Sequence, residues 1–407
     1  MKLITFLGTQ SYENVIYRLP DGREHETHLF PEALVEWYRP AEVFVFLTPE
    51  AREHINWKTL RARLTDKTEC YAVDIPRGQS EDELWTIFGC FTTSLHENDE
   101  VIFDVTHAFR SLPILVLLAA AYLKVAKSIK LNSILYGAYE ARDESRRVPV
   151  FDLTPFLSLL DWAVATARFV ETGDAEPLAE LLHAAHRYPW KTGAASPQEL
   201  PRHLQKIAAT LENLSHALLL AQPLEVAEHA ETLIRQVRDA APEAERWAPP
   251  FALLLRRIEE RYLPLAKSDL ITQLSLIRWY VELGRITQAV MLAREWIISF
   301  VCESLGMDFL DLSTRQKVEQ ALNQAAQEKI SPVGRSILEK DSPLLYRLRD
   351  LPSFRELLDV WCSVRDLRNT VAHCGMRRNA LSSKNILANA HKMLSKLERL
   401  RPKEDNP

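Results

Sequence analysis

Strand and helix signals alternate through the first 154 residues and the strand signal then stops, a change of rhythm that leaves few architectures open. Lys2 to Thr9 reads as a buried strand, and Asn14 to Leu19 with Arg23 to Leu29 as a hairpin turned at Pro20-Asp21-Gly22. Strand and helix then come in pairs: Glu42 to Thr48 with Pro49 to Leu64, Glu69 to Ile75 with Glu81 to His96, and Glu100 to Val105 with about Arg110 to Lys127. Ser133 to Glu140 and Val148 to Leu153 close the series around the charged turn Arg142 to Arg147. Such alternation predicts an α/β, Rossmann-like N-terminal domain with a mostly parallel, doubly wound sheet, because right-handed crossovers lay the helices on its two faces.

From about Pro155 only helical runs remain, with breaks expected at Thr172-Gly173-Asp174, Pro189 to Pro201, Gln222-Pro223, Pro242, Pro249-Pro250, Pro264, Gly284, Gly306, Pro332 and Pro352. The rest of the chain is therefore expected to be all-α. The expected division is residues 1–154, a helical connector region over 155–264 and a last domain over 265–407. Leu283-Gly284-Arg285 followed by Ala289 and Ala293 has no second copy at a fixed period, which excludes a solenoid.

Hydrophobic residues make up 47% of the 407 and charged ones 26%, which excludes a disordered chain. The longest apolar run, Leu112 to Val125, is shorter than the ~20 residues that span a bilayer, so no membrane partner is expected. Met1 to Phe6 runs directly into a strand pattern without a signal-peptide cleavage region, and a cytoplasmic location is expected. Cys70, Cys90, Cys302, Cys362 and Cys374 are scattered and never spaced as a CxxC pair, so neither a disulfide framework nor a metal site is expected. Charge divides with the rhythm: 17 basic against 23 acidic residues up to Thr154, and 33 against 32 beyond it. Between Arg365 and Arg401 nine basic residues face two acidic ones, a local balance of +7 suited to phosphate.

Two stretches fall at carboxyl ends of strands: Gly8-Thr9-Gln10-Ser11 after the first, and Asp104-Val105-Thr106-His107-Ala108-Phe109-Arg110-Ser111-Leu112-Pro113 after the fourth main strand. In a sheet ordered 3-2-1-4-5 those strands are neighbours, and the crevice between them is where ligands bind. The second stretch opens a helix, so backbone N–H groups, the hydroxyls of Thr106 and Ser111 and the charge of Arg110 can face an anion. A plainer reading has Thr106 and Ser111 capping that helix, and Asp104 anchoring the turn. Neither GxxxxGK nor GxGxxG occurs, which disfavours an ordinary dinucleotide cofactor.

Near the C-terminus, Phe354, Leu357, Leu358, Trp361, Val364, Leu367 and Val371 recur at three- and four-residue steps, a helix that Gly375 can stop. Arg368, Asn369 and His373 stand off that apolar stripe, with Asn369 and His373 one turn apart. Histidine titrates near neutrality and can move the proton of a ribose 2′-hydroxyl, while arginine steadies charge at phosphorus. This suits RNA cleavage without a metal. The alternative is a helix end with a basic, solvated edge.

Leu7-Gly8-Thr9, the string Asp104 to Pro113, and Arg368-Asn369-Thr370-Val371-Ala372-His373 together resemble the CARF-HEPN ancillary ribonucleases of type III CRISPR systems. The resemblance implies a CARF domain that senses a cyclic oligoadenylate, and an all-α HEPN domain that cuts single-stranded RNA once the messenger binds. It also implies a cytoplasmic homodimer, in some members a higher oligomer. Cyclic tetra-adenylate is the commoner activator in that family and cyclic hexa-adenylate serves some members; no further cofactor is required. By the same resemblance Thr9, Gln10, Thr106, His107, Arg110 and Ser111 contact the messenger, in a mouth that Gly8 and Ser11 complete. Arg368, Asn369 and His373 perform cleavage through attack of the substrate's 2′-hydroxyl, and no residue of that motif departs from the family's pattern. Competing readings are a nucleotide-sensing regulator that cuts nothing, a first domain that also degrades its own messenger, and a nuclease that needs no activator.

Overall fold

A strand covered on both faces needs apolar residues at successive positions, and β1 (Lys2–Leu7) has them: Leu3 and Leu7 enter one core, Ile4 and Phe6 another. β4 (Glu42–Leu47) repeats the pattern, with Val43, Val45 and Leu47 in the first core and Phe46 in the second. These strands pair in parallel, Leu3 beside Val43 and Leu7 beside Leu47, and β6 (Glu100–Asp104) runs parallel along the other edge of β1. β5 (Glu69–Asp74) lies outside β4 and β7 (Lys130–Gly137) outside β6, both parallel. β8 (Arg147–Asp152) is antiparallel to β7 and takes on its far side the hairpin of β2 (Val15–Arg18) and β3 (Glu24–Thr27). The eight-stranded order is β3-β2-β8-β7-β6-β1-β4-β5, which contains the expected 3-2-1-4-5 order of parallel strands. β1 and β6 are therefore neighbours at the switch point.

The computed structural model describes residues 1–109, 111–192, 196, 199–330, 343–376 and 378–400. Two units divide the chain, residues 1–161 and 162–407. In the first, α1 (Phe30–Tyr38) and α3 (Ile55–Leu64) cover the Leu3 face of the sheet, while α4 (Glu81–Ser94) and α5 (Leu112–Ala126) cover the Phe6 face. Two details depart from expectation. α1 stands where the sequence pattern had suggested no element, and the helix expected over 49–64 is two, α2 (Pro49–Glu53) and α3. His54 between them is extended (φ −72°, ψ 154°), and its Nδ1 accepts from the Asn56 N–H at 3.2 Å, capping α3.

Beyond β8 every regular element is helical among the described residues, as expected. They are α6 (Thr154–Thr172), α7 (Glu176–Thr192), α8 (Leu204–Leu220), α9 (Pro223–Trp247), α10 (Pro249–Tyr262), α11 (Leu270–Glu282), α12 (Ile286–Ser304), α13 (Leu312–Ile330), α14 (Pro343–Arg349), α15 (Phe354–Ala372) and α16 (Ser383–Arg399). Pro242, where a break is expected, lies inside α9, and in the stretch Pro189 to Pro201 α7 runs on to Thr192, with Pro189 inside it. Each proline removes one backbone donor, and around Pro242 the burial of Val237, Ala240 and Ala244 offsets that loss. Pro332 lies outside the described residues. Phe169, Leu211, Leu233, Trp296, Trp361 and Leu397 share one apolar core, so helices on both sides of residue 264 pack on a common interior. α15 buries Leu357, Trp361, Val364 and Leu367 there, and the Trp361 indole donates to Asn323 Oδ1 at 3.1 Å.

Candidate functional site

At the carboxyl ends of β1 and β6 a hollow of about 820 Å³ opens, and its walls include Gly8, Thr9, Gln10, Thr106 and His107. Side-chain bonds set its shape. The buried Asn56 donates through Nδ2 to the carbonyls of Gly8 (3.0 Å) and Gln10 (2.9 Å), and the Gly8 N–H donates to Tyr12 Oη at 2.9 Å. On the β6 side, fully buried Asp104 accepts from the Thr5 hydroxyl (2.6 Å) and the Thr106 N–H (2.8 Å). Burial pushes its carboxyl up to about 6, against the pull of those donors, so Asp104 is an anchor for the turn.

The expected ligand residues divide on inspection. The Thr106 hydroxyl accepts from the Gly137 N–H at 2.8 Å, so it ties the loop to β7. His107 lines the hollow, but its Nε2 accepts from the Phe30 N–H at 3.4 Å and its ring lies 4.0 Å from that of Tyr12. Burial, with His28 nearby, lowers its pKa to about 3, so the imidazole is neutral and carries its proton on Nδ1. The backbone N–H groups of His107 and Phe109 have no acceptor among the described residues. Ser11 opens into an adjoining hollow of about 460 Å³ that shares Thr9 and Tyr12. Ser111 is the residue before α5 and its side chain makes no capping bond. Arg110 lies outside the described residues.

Sequence reasoning missed Thr48, Glu50, Arg77, Gly78 and Gln79, which also line the hollow. The signal was available: Pro76-Arg77-Gly78 follows the carboxyl end of β5, where a backbone turn and a cation meet.

In the second unit Arg368, Asn369 and His373 are exposed at the end of α15, and no partner holds their side chains among the described residues. His373 is the capping residue; its N–H donates to the Asn369 carbonyl at 3.3 Å, keeping the two on successive turns. Cys374 (φ 49°) and Gly375 (φ 72°) then turn the chain away, the stop expected at Gly375. Arg368 lines a separate, largely apolar cavity of about 600 Å³ that includes Phe309, Val371 and Cys374. Arg294 and Arg315 in the same wall are engaged by Glu295 and Glu319, so Arg368 is the guanidinium there without a carboxylate among the described residues. Arg377 and Arg401 of the basic stretch lie outside the described residues. Among the described residues no three His, Cys, Asp or Glu side chains converge on a metal position, and no helix is long and apolar enough to cross a membrane.

Comparison with known proteins adds three findings. Residues 2–140 match the family described as the CARF domain of CRISPR system endoribonuclease Csx1. Residues 158–264 match the second domain of CRISPR-associated protein MJ1674. CRISPR-associated protein MJ1674 of Methanocaldococcus jannaschii is 23% identical over 232 residues, which are 56% of this chain and 33% of that protein. The chain thus spans about a third of the length of this relative. Residues 2–140 thus carry a CARF-type domain on the observed sheet, the following helices are similar to the second domain of MJ1674, and the chain is similar to CARF-containing ancillary proteins of CRISPR systems.

Proposed function

We propose that this protein is a cyclic oligoadenylate-activated, metal-independent endoribonuclease acting on single-stranded RNA. The observation that carries the reading is the exposed set Arg368, Asn369 and His373, free of partners among the described residues at the end of a helix whose other face is locked in the core. In this reading His373 takes the proton of the 2′-hydroxyl, the 2′-oxygen bonds to phosphorus, the bond to the 5′-oxygen breaks, and the departing 5′-oxygen takes up a proton from the His373 imidazolium or from water. The products are a 2′,3′-cyclic phosphate and a 5′-hydroxyl. Arg368 neutralises the charge that builds on phosphorus, and Asn369 orients the phosphodiester.

The activator belongs in the hollow between β1 and β6, where Gly8 to Gln10 and the free N–H groups of His107 and Phe109 face the ring's phosphates. Cyclic tetra-adenylate is the activator of first choice and cyclic hexa-adenylate the second. A homodimer fits a ring with rotational symmetry. Its support in this chain is the outer stripe of α5, where Ile114, Leu118, Tyr122 and Val125 are exposed although apolar. The test is cleavage of labelled RNA with and without each ring, in the presence of EDTA. No cleavage under any of these conditions refutes the nuclease reading, and cleavage that no ring stimulates refutes the activator.

A further inference from the structure

Among the described residues the hollow between β1 and β6 is lined by two charged side chains, Glu50 and Arg77, and they are paired with each other. Glu50 sits in the first turn of α2, just after β4, and Arg77 just after β5, so the pair bridges the ends of adjacent strands. Neither side chain is part of a core: 43% of Glu50 and 59% of Arg77 remain exposed. Gly78, at φ 68°, makes the turn that presents Arg77, a conformation other residues adopt only with strain. A carboxylate is out of place in a pocket for a polyanion unless its charge has a task. Here it occupies the guanidinium that a phosphate would otherwise claim.

We propose that the Glu50–Arg77 ion pair is a latch displaced by anions, Glu50 holding the place of a ring phosphate on Arg77 until the ligand arrives. Arg77 is then a ligand-binding residue, and Glu50 sets the ring concentration at which the hollow fills. This rests on the reading of the hollow as a cyclic oligoadenylate site. An exposed pair is weak, so a phosphodiester of equal charge can exchange for the carboxylate at little net cost. The carboxylate, once released, stays near the ligand and repels it.

The experiment measures dissociation constants of labelled cyclic tetra-adenylate and cyclic hexa-adenylate for the full chain and for Glu50→Gln, Arg77→Ala and the double variant, at low and high salt. Glu50→Gln should bind about five- to tenfold more tightly at low salt, with a smaller gain at high salt. Arg77→Ala should bind about tenfold more weakly, and in its background Glu50→Gln should gain only about twofold, from lifted repulsion alone. Thermal melts confirm that each variant is folded. Binding by the wild type that Glu50→Gln leaves unchanged or weakens overturns the latch and spares the activator reading. Absence of binding by both wild type and Glu50→Gln overturns both.

Discussion

Asn56→Ala tests whether the shape of the β1 loop is what the activator reads. The substitution removes two donors, to Gly8 O at 3.0 Å and Gln10 O at 2.9 Å, from a side chain that is 6% exposed. Each such bond is worth about 1 kcal/mol, and an acceptor left buried would cost about 1–3 kcal/mol more. Gln10 is exposed and water can replace its donor, whereas Gly8 is only half-exposed, so the loss is nearer about 2 kcal/mol than the upper limit. If the loop must be ordered to bind, that loss reduces the binding-competent fraction, and 1.4 kcal/mol is about tenfold in affinity. The assay is RNA cleavage against activator concentration, together with a thermal melt. The activator concentration for half-maximal cleavage should rise about tenfold or more while cleavage at saturation stays the same. Asn56→Asp keeps the size but sets a carboxylate against two carbonyls, and should be worse than alanine. A lowered melting temperature with an unchanged activation midpoint would refute the reasoning.

Other perturbations separate the sites. His373→Ala should lower cleavage by about 10²–10⁴-fold and leave ring binding intact; near-normal cleavage by the purified variant would sink the assignment. His107, neutral and accepting from Phe30, contributes stability above pH ~6.5 that is lost as pH falls toward its depressed value of about 3. Melts of wild type and His107→Gln should therefore draw together at acid pH, and parallel curves would contradict the hydrogen-bonding role. Gly173 has φ 77°, and an added Cβ would stand 2.7 Å from Trp279 and 2.9 Å from Leu218. Gly173→Ala should cost about 2–3 kcal/mol in a denaturant titration, and an unchanged midpoint would show that this turn yields easily.

Much of the fold was legible because it depends on patterning. Runs such as Leu3 to Leu7 and Val43 to Leu47 are apolar at nearly every position, which only a strand covered on both faces requires, and alternation with helices then leaves one handed topology. Short or interrupted elements were less legible. α1 has nine residues and a Pro at its first turn, and the His54 break depends on a side-chain cap that periodicity does not reveal. Pro242 does not end its helix because local propensity is outweighed by the burial of Val237, Ala240 and Ala244 on the core. The candidate site divides in the same way. Motif residues at strand ends could be placed on the hollow, but that the Thr106 hydroxyl turns to Gly137, and that His107 caps α1, depends on partners 31 and 77 residues away. Arg77 falls outside the switch-point rule, which singles out the first and fourth main strands, whereas the wall also draws on the loop after the third, β5.

Asp104 shows why a site can retain a group that weakens the fold. Its carboxyl has a native pKa of about 6 against 3.8 in an ordinary setting, so the folded state favours the protonated form. The stability from this group is fully present below pH ~4, is lost as pH rises from there through about 6, and above that range the ionised form costs about 3 kcal/mol. Asp104→Asn imitates the protonated carboxyl at every pH. The difference in stability between wild type and variant should therefore change between pH 4 and 6, the variant gaining as pH rises, and be level above that range. The gain at neutral pH will fall short of the full value, because the amide can accept from only one of Thr5 Oγ1 and the Thr106 N–H and must turn its NH₂ toward the other. That same shortfall carries the functional cost. One carboxylate oxygen holds the Thr106 N–H at the start of the loop and the other ties it to Thr5 of β1, so with one of them replaced by NH₂ the variant should respond to activator less sensitively although it melts no lower. A variant that is less stable than wild type at pH 7 and keeps the same slope between pH 4 and 6 would show that burial is not what governs this carboxylate.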